Sequence, residues 1–207
     1  MRVLLTGFGP FPGAPFNPSA ALAAALARRR RPALAGIERS THVFATTYAA
    51  VDRDLPKLFA GRPDIVLVFG LAGRGRHICV ETRARNAISV LFPDASGYRP
   101  RRNVIEPGGP GALKGSAPFA LLLGALRTSG LPARLSRDAG RYLCNYAYWR
   151  ALQHTSGGRP LVQFVHIPAI AFTPRPRRRS RHRSPTLPQL VGAAEALLIA
   201  LVAAARR

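Results

Sequence analysis

Seven consecutive residues, Ile-Val-Leu-Val-Phe-Gly-Leu from Ile65 to Leu71, carry no polar side chain. A strand without polar alternation has no face to offer to water, so this run predicts a central strand covered on both sides. The apolar runs Arg2–Phe8 and Pro160–His166 read as further buried strands. Glu38–Ala45, Ile78–Ala84, Ala87–Leu91 and Ala133–Leu135 have strand character. Between them lie helical patterns: one capped by Ser19 and running to about Arg30, Ala49–Phe59, Phe119–Ser129 ended by Gly130, Arg141–His154, and Thr186–Ala205. Pro93–Pro110, rich in Pro, Gly and Arg, reads as a long loop. Helices alternating with apolar strands predict an α/β chain, a three-layer α/β/α sandwich in which residues 1–207 form one domain. The Arg/Pro-rich stretch at about 173–185 reads as a mobile loop insertion within that domain.

A length of 207 residues suits a single full core, and 47 % hydrophobic residues exclude wholesale disorder. The formal charge of +22 raises the question of nucleic acid. Of the 31 basic residues only Lys57 and Lys114 are lysines, a bias that fits a GC-rich genome better than selection for phosphate contacts. The arginines are scattered apart from Arg28–Arg31 and the run within Pro174–Arg183, and neither run has interleaved aromatics or a base-reading module. Only weak, salt-sensitive attraction to polyanions is expected, with no specific nucleic-acid partner. The apolar stretch Leu190–Ala205 is short and contains Glu195, so it reads as a packed helix and no membrane association is expected. The N-terminal MRVLLTGFGP lacks the long apolar core of a signal peptide, which places the protein in the cytoplasm. Cys79 and Cys144 form no CxxC pair and no cluster with zinc spacing, so two free thiols and no metal are expected.

Three residues could carry chemistry. Cys144, in SRDAGRYLCNYAYW, falls at or near the first turn of a helix, where unpaired N–H groups stabilise a thiolate and could hold an oxyanion. A buried core cysteine is the competing reading. His166 ends the apolar run LVQFVH, and ligand sites in α/β folds gather beyond such strand ends; a structural histidine is the alternative, and His77 is a weaker candidate. Glu81 stands in HICVETRARNA, either as an ion-pair partner of Arg83 or Arg85 or as the carboxylate that orients a base. Asp94 competes for that last role. A thiol, an imidazole and a carboxylate form a recurrent unit: the base takes the thiol proton, the sulfur attacks a carbonyl, and the third group sets the imidazole tautomer.

Four blocks, in order, resemble the pyroglutamyl peptidase type I family of cysteine peptidases. LLTGFGPFPGAPFNPS looks like that family's TGF-x-PF…NPS/T signature, and PDIVLVFGLAGRGRHICVE resembles its PDI…GLA-x-GR…E segment. The string ending AGRYLCNY is similar to its nucleophile motif and FVHIP to its histidine motif. The similarity spans about Met1 to Pro168. It implies Cys144 as nucleophile, His166 as general base and then acid, and Glu81 as the orienting carboxylate. It also implies Phe8 and Phe11 as walls of an apolar slot for the lactam ring, with Asn17 and Leu71 also at the substrate. It further implies a twisted mixed sheet, a peptide substrate with N-terminal pyroglutamate, no cofactor, no metal, and a homo-oligomer, dimer or tetramer. The chain departs from the family at Thr82 and Leu91, where arginines are usual, and in the basic stretches after Asp94 and Pro168. Those departures keep two other readings open: a cysteine hydrolase of another blocked or cyclic acyl amide, and a non-catalytic basic binding protein.

Overall fold

The computed structural model describes residues 1–11, 14–73, 75–171 and 184–207. The Arg/Pro-rich loop expected at about 173–185 lies almost wholly outside the described residues. Among these, eight strands alternate with five helices. The strands are β1 (Arg2–Phe8), β2 (Glu38–Phe44), β3 (Ile65–Ala72), β4 (Ile78–Glu81), β5 (Arg83–Arg85), β6 (Ala112–Lys114), β7 (Ala133–Ser136) and β8 (Leu161–Pro168). The helices are α1 (Pro18–Ala27), α2 (Tyr48–Ala60), α3 (Phe119–Arg127), α4 (Leu143–Gln153) and α5 (Leu187–Ala205).

Six strands form one sheet in the order β2-β1-β3-β8-β4-β7, and β5 pairs with β6 in a separate hairpin. All neighbours in the large sheet run parallel except β4 against β8. The apolar run at residues 65–71 lies centrally, as its composition predicts: Ile65 through Phe69 are 1 % exposed or less. One face carries α1, α3 and α5 over Leu5, Leu67, Phe69, Val165 and Ile167. The other carries α2 and α4 over Phe44, Val66, Val68, Val162 and Phe164. Each large side chain buried in these layers contributes about 1.5–3 kcal/mol of transfer free energy.

Helix α5 is long and apolar enough, by composition, to cross a bilayer. Here it packs against α1 and α3, and its buried Glu195 takes ion pairs from Arg29 at 2.9 Å and Arg31 at 2.7 Å. A carboxylate held by two guanidinium groups keeps this face inside the fold.

Two expectations are corrected. Helix α1 is capped by Asn17, whose side chain accepts from the Ser19 N–H, with Pro18 at the first helical position. The Ser19 hydroxyl instead accepts the Phe8 N–H at 2.9 Å. Ala87–Leu91 is not a strand, because its backbone donors are taken by loops: Ile88 N–H by Asn103 O and Ser89 N–H by Arg141 O. Asn86 organises the same region by accepting the Ile105 and Glu106 N–H groups.

The β1–α1 crossing determines where the site loop leaves the sheet. A Cβ on Gly7 would lie 2.5 Å from Ser19 O and 2.7 Å from Ala20 N, both backbone atoms that cannot rotate away. Gly7→Ala is therefore expected to cost about 1–3 kcal/mol, read as a lowered urea midpoint. An unchanged midpoint would show that α1 can slide at this crossing.

Candidate active site

Three segments converge above the centre of the sheet. Cys144 is the second residue of α4, so its sulfur sits at the helix N-terminus. The N-cap, Tyr142, makes no side-chain capping bond, and the first turn holds no acidic residue. Its N–H groups and the positive end of the helix dipole are therefore available to an anion. The helix start is anchored by Asn145, wholly buried, which accepts the Arg85 N–H and donates to Arg85 O and Ala87 O, each at 2.8 Å.

His166 lies on β8 and is 9 % exposed. Its Nδ1 is 2.8 Å from Glu81 Oε1, on the antiparallel neighbour β4. Glu81 is 1 % exposed, and its backbone carbonyl accepts from the Tyr148 hydroxyl at 3.0 Å and the Gln163 amide at 2.9 Å. With Nδ1 occupied by the carboxylate, Nε2 is the ring nitrogen left to act on the Cys144 thiol, which lines the same cavity. Burial pushes His166 down. The charge and hydrogen bond of Cys144, with the hydrogen bond and charge of Glu81, outweigh burial and raise it to about 10.

Space for the sulfur depends on Gly70, which faces His166 across the β3–β8 ladder. A Cβ there would come 2.9 Å from Cys144 Sγ and 2.6 Å from the Phe164 ring. Phe164 in turn packs against His166, with ring centroids 4.9 Å apart.

Cys144 and His166 open onto a cavity of about 190 Å³. Phe8, Phe11, Leu71 and Tyr142 wall it, and Asn17 and Thr46 add polar atoms. Asn17 is committed to its loop, donating to Gly9 O and accepting from Ser19. The Thr46 hydroxyl lies within hydrogen-bond distance of Gly9 O and Pro10 O, each at 3.1 Å. All seven residues expected at the site thus border this cavity or, for Glu81, bond to a residue that does.

The same geometry places the other candidates. Asp94 is not at the imidazole. It accepts the Tyr48 N–H at the start of α2 and also bonds the Ser96 hydroxyl and the Ser96 and Tyr98 N–H groups. Burial pushes this carboxyl up, but those donors hold it below its usual range. Arg83 and Arg85 do not pair with Glu81: the former donates to Arg137 O and the latter meets Asp138. Thr82, where the resembled family carries arginine, bonds Ser136 O. Leu91, the second departure, is 71 % exposed. His77 lies exposed ahead of β4, away from the cavity wall.

Sequence reasoning missed Gly70, Tyr142 and Thr46. Tyr142 had a visible signal, an aromatic two residues before the thiol. Its hydroxyl donates to Pro93 O at 2.9 Å and holds the ring as a wall. Gly70 and Thr46 had none, because their importance depends on strand register.

A thiol at an uncapped helix N-terminus, an imidazole and a buried carboxylate, in line beside an aromatic cavity on an α/β sheet, make the constellation of a cysteine-type acyl hydrolase. Comparison with known proteins narrows the class. The chain matches the model of the pyroglutamyl peptidase family over residues 1–207 and belongs to that family. It is 36 % identical over 172 residues to a pyrrolidone-carboxylate peptidase of Gloeobacter violaceus, covering 82 % of each chain. To its counterpart in Thermococcus onnurineus it is 36 % identical over 174 residues, 82 % of this chain and 84 % of the relative. The solved pyrrolidone carboxyl peptidase of Thermococcus litoralis superposes with a TM-score of 0.84 at 29 % identity, covering 96 % of this chain and 92 % of that one. Pyroglutamyl peptidase I of Bacillus amyloliquefaciens gives 0.79 at 28 % identity, with 98 % and 97 % coverage.

Proposed function

We propose that this chain is a cysteine peptidase that removes N-terminal pyroglutamate from peptides, with Cys144 as nucleophile, His166 as base and acid, and Glu81 as the orienting carboxylate. Membership of the pyroglutamyl peptidase family supports the activity. The observation that carries the residue assignment is the Cys144–His166–Glu81 line at the mouth of the 190 Å³ aromatic cavity. That volume is small beside the roughly 300–1,000 Å³ of drug-sized sites, and it suits one flat ring with no room for further residues.

The lactam ring of pyroglutamate sits between Phe8, Phe11, Leu71 and Tyr142. It is neutral, so burying it there costs far less than burying the ammonium of an ordinary N-terminus, which loses several kcal/mol of hydration. His166 Nε2 takes the thiol proton, and Cys144 Sγ attacks the carbonyl. The α4 N–H groups are placed to hold the oxyanion. The imidazolium then gives its proton to the departing amine, leaving a thioester on Cys144. Water, deprotonated by His166, releases free pyroglutamate and restores the thiol. Protein groups and water suffice for every step.

The assignment is tested by release of a chromogenic amine from its pyroglutamyl amide, set beside alanyl, acetyl and prolyl amides. The pyroglutamyl compound is expected to be preferred, and the release to stop on thiol alkylation. A different preferred acyl group would favour a hydrolase of another blocked acyl amide, the reading that Thr82 and Leu91 keep in view.

Two free cysteines fit a reducing compartment, and we place the enzyme in the cytoplasm. A homo-oligomer is supported by Leu91 and Phe92, side by side on one loop at 71 % and 63 % exposure.

A further inference from the structure

One row of residues crosses the whole sheet beneath the site. In register, Phe44 on β2 faces Phe8 on β1, Gly70 on β3 faces His166 on β8, His166 faces Cys79 on β4, and Cys79 faces Arg134 on β7. The β1–β3 register, continued two residues past its last pair, sets Phe8 beside Gly70. Directly paired residues share a face, so the row orders the chemistry along one line. The aromatic cavity lies over β1 and β3, the sulfur over Gly70, and the proton donor on β8.

A substrate whose ring occupies that cavity and whose scissile bond lies between Cys144 and His166 must send its departing chain onward over β4 and β7. There the row ends in Cys79 and Arg134. Arg134 is exposed, and its Nε donates to Cys79 Sγ at 3.4 Å, which turns the guanidinium toward His166, while its two terminal nitrogens form no hydrogen bond among the described residues. Among the described residues it forms no ion pair with a carboxylate. Arg76, Arg134 and Arg137 stand at this end of the row, and the nearest acidic residues in sequence, Glu81 and Asp138, are engaged by His166 and Arg85.

From this row we infer that Arg134 determines substrate preference on the departing side, binding a carboxylate carried by the second residue after the scissile bond, either an acidic side chain or a free C-terminus. The inference rests on the peptidase reading above. Adjacent strands lie about 4.8 Å apart, so Arg134 starts roughly 10 Å from His166 and reaches back toward it. An extended peptide advances about 3.3–3.6 Å per residue, which brings the second departing residue under the guanidinium. The planar fork with its Nε tethered presents two parallel N–H groups, the geometry that suits a carboxylate. The overall charge of +22 draws such anionic peptides toward the protein in the first place.

The test compares two peptide amides that differ at one group, pyroglutamyl-alanyl-glutamate amide and pyroglutamyl-alanyl-glutamine amide, by kcat/KM for pyroglutamate release. The wild-type protein is expected to favour the glutamate peptide about three- to tenfold at low salt, mainly through KM. Raising salt from about 0.05 M to about 0.5 M should shrink that ratio toward one. In Arg134→Gln the ratio should fall to about one, and Arg134→Lys should keep part of it. Equal rates on the two peptides by the wild-type protein overturn the inference, and so does a ratio that survives in Arg134→Gln. No release from either peptide overturns the peptidase reading and this inference with it, a result distinct from equal rates. The wild-type ratio needs no variant to fold.

Discussion

Cys144→Ala is expected to lower pyroglutamyl amide hydrolysis by about 10⁴-fold or more, while the protein keeps its far-UV spectrum and its unfolding midpoint. The size follows from the chemistry: without the sulfur no thioester forms, and among the described residues lining the cavity no other carries a thiol. The fold should tolerate the change, because Cys144 is only partly buried and the α4 start is tied down by Asn145. Activity within about tenfold of wild type would remove Cys144 from the mechanism.

Glu81→Gln is the second large effect, an expected loss of about 10³–10⁴ in kcat with the geometry intact. The side chain is nearly isosteric. An amide, however, carries no charge and can donate to Nδ1, which disfavours the doubly protonated ring that uptake of the thiol proton creates. The pH profile offers a second readout. With His166 raised to about 10, the imidazolium persists well above neutrality, and the alkaline limb of kcat/KM should lie near that value. Glu81 contributes to the raise through its hydrogen bond and charge, so its removal should move that limb to lower pH. A limb that stays in place, or moves upward, would show that Glu81 does not act on His166.

Much of this architecture is legible because apolar continuity is a strong signal. Arg2–Phe8, Ile65–Leu71 and the run ending at His166 became β1, β3 and β8, three adjacent strands of the sheet. Cys144 at a helix start and His166 in a buried strand were readable as local patterns. What could not be read is whatever depends on segments distant in the chain. The β5–β6 hairpin joins Arg83–Arg85 to Ala112–Lys114, three-residue stretches too short to announce a pairing with each other. Asn86 and Asn145 absorb backbone groups from loops, which left Ala87–Leu91 outside any ladder despite its β-branched residues. That Glu81, and not Asp94, stands beside His166 depends on the β4–β8 register, and the place of Arg134 depends on the β4–β7 register. Gly7 and Gly70 matter through contacts with Ser19 and Cys144 that no local pattern announces.

The central claim is that one sulfur carries the pyroglutamyl group between two half-reactions. Acid-quenched enzyme taken during steady turnover of a pyroglutamyl amide, digested and analysed by mass spectrometry, tests it directly. A single pyroglutamyl adduct on the peptide containing Cys144, absent from the peptide containing Cys79, is the predicted result. The adduct on Cys79, or on a residue other than Cys144, would contradict the account.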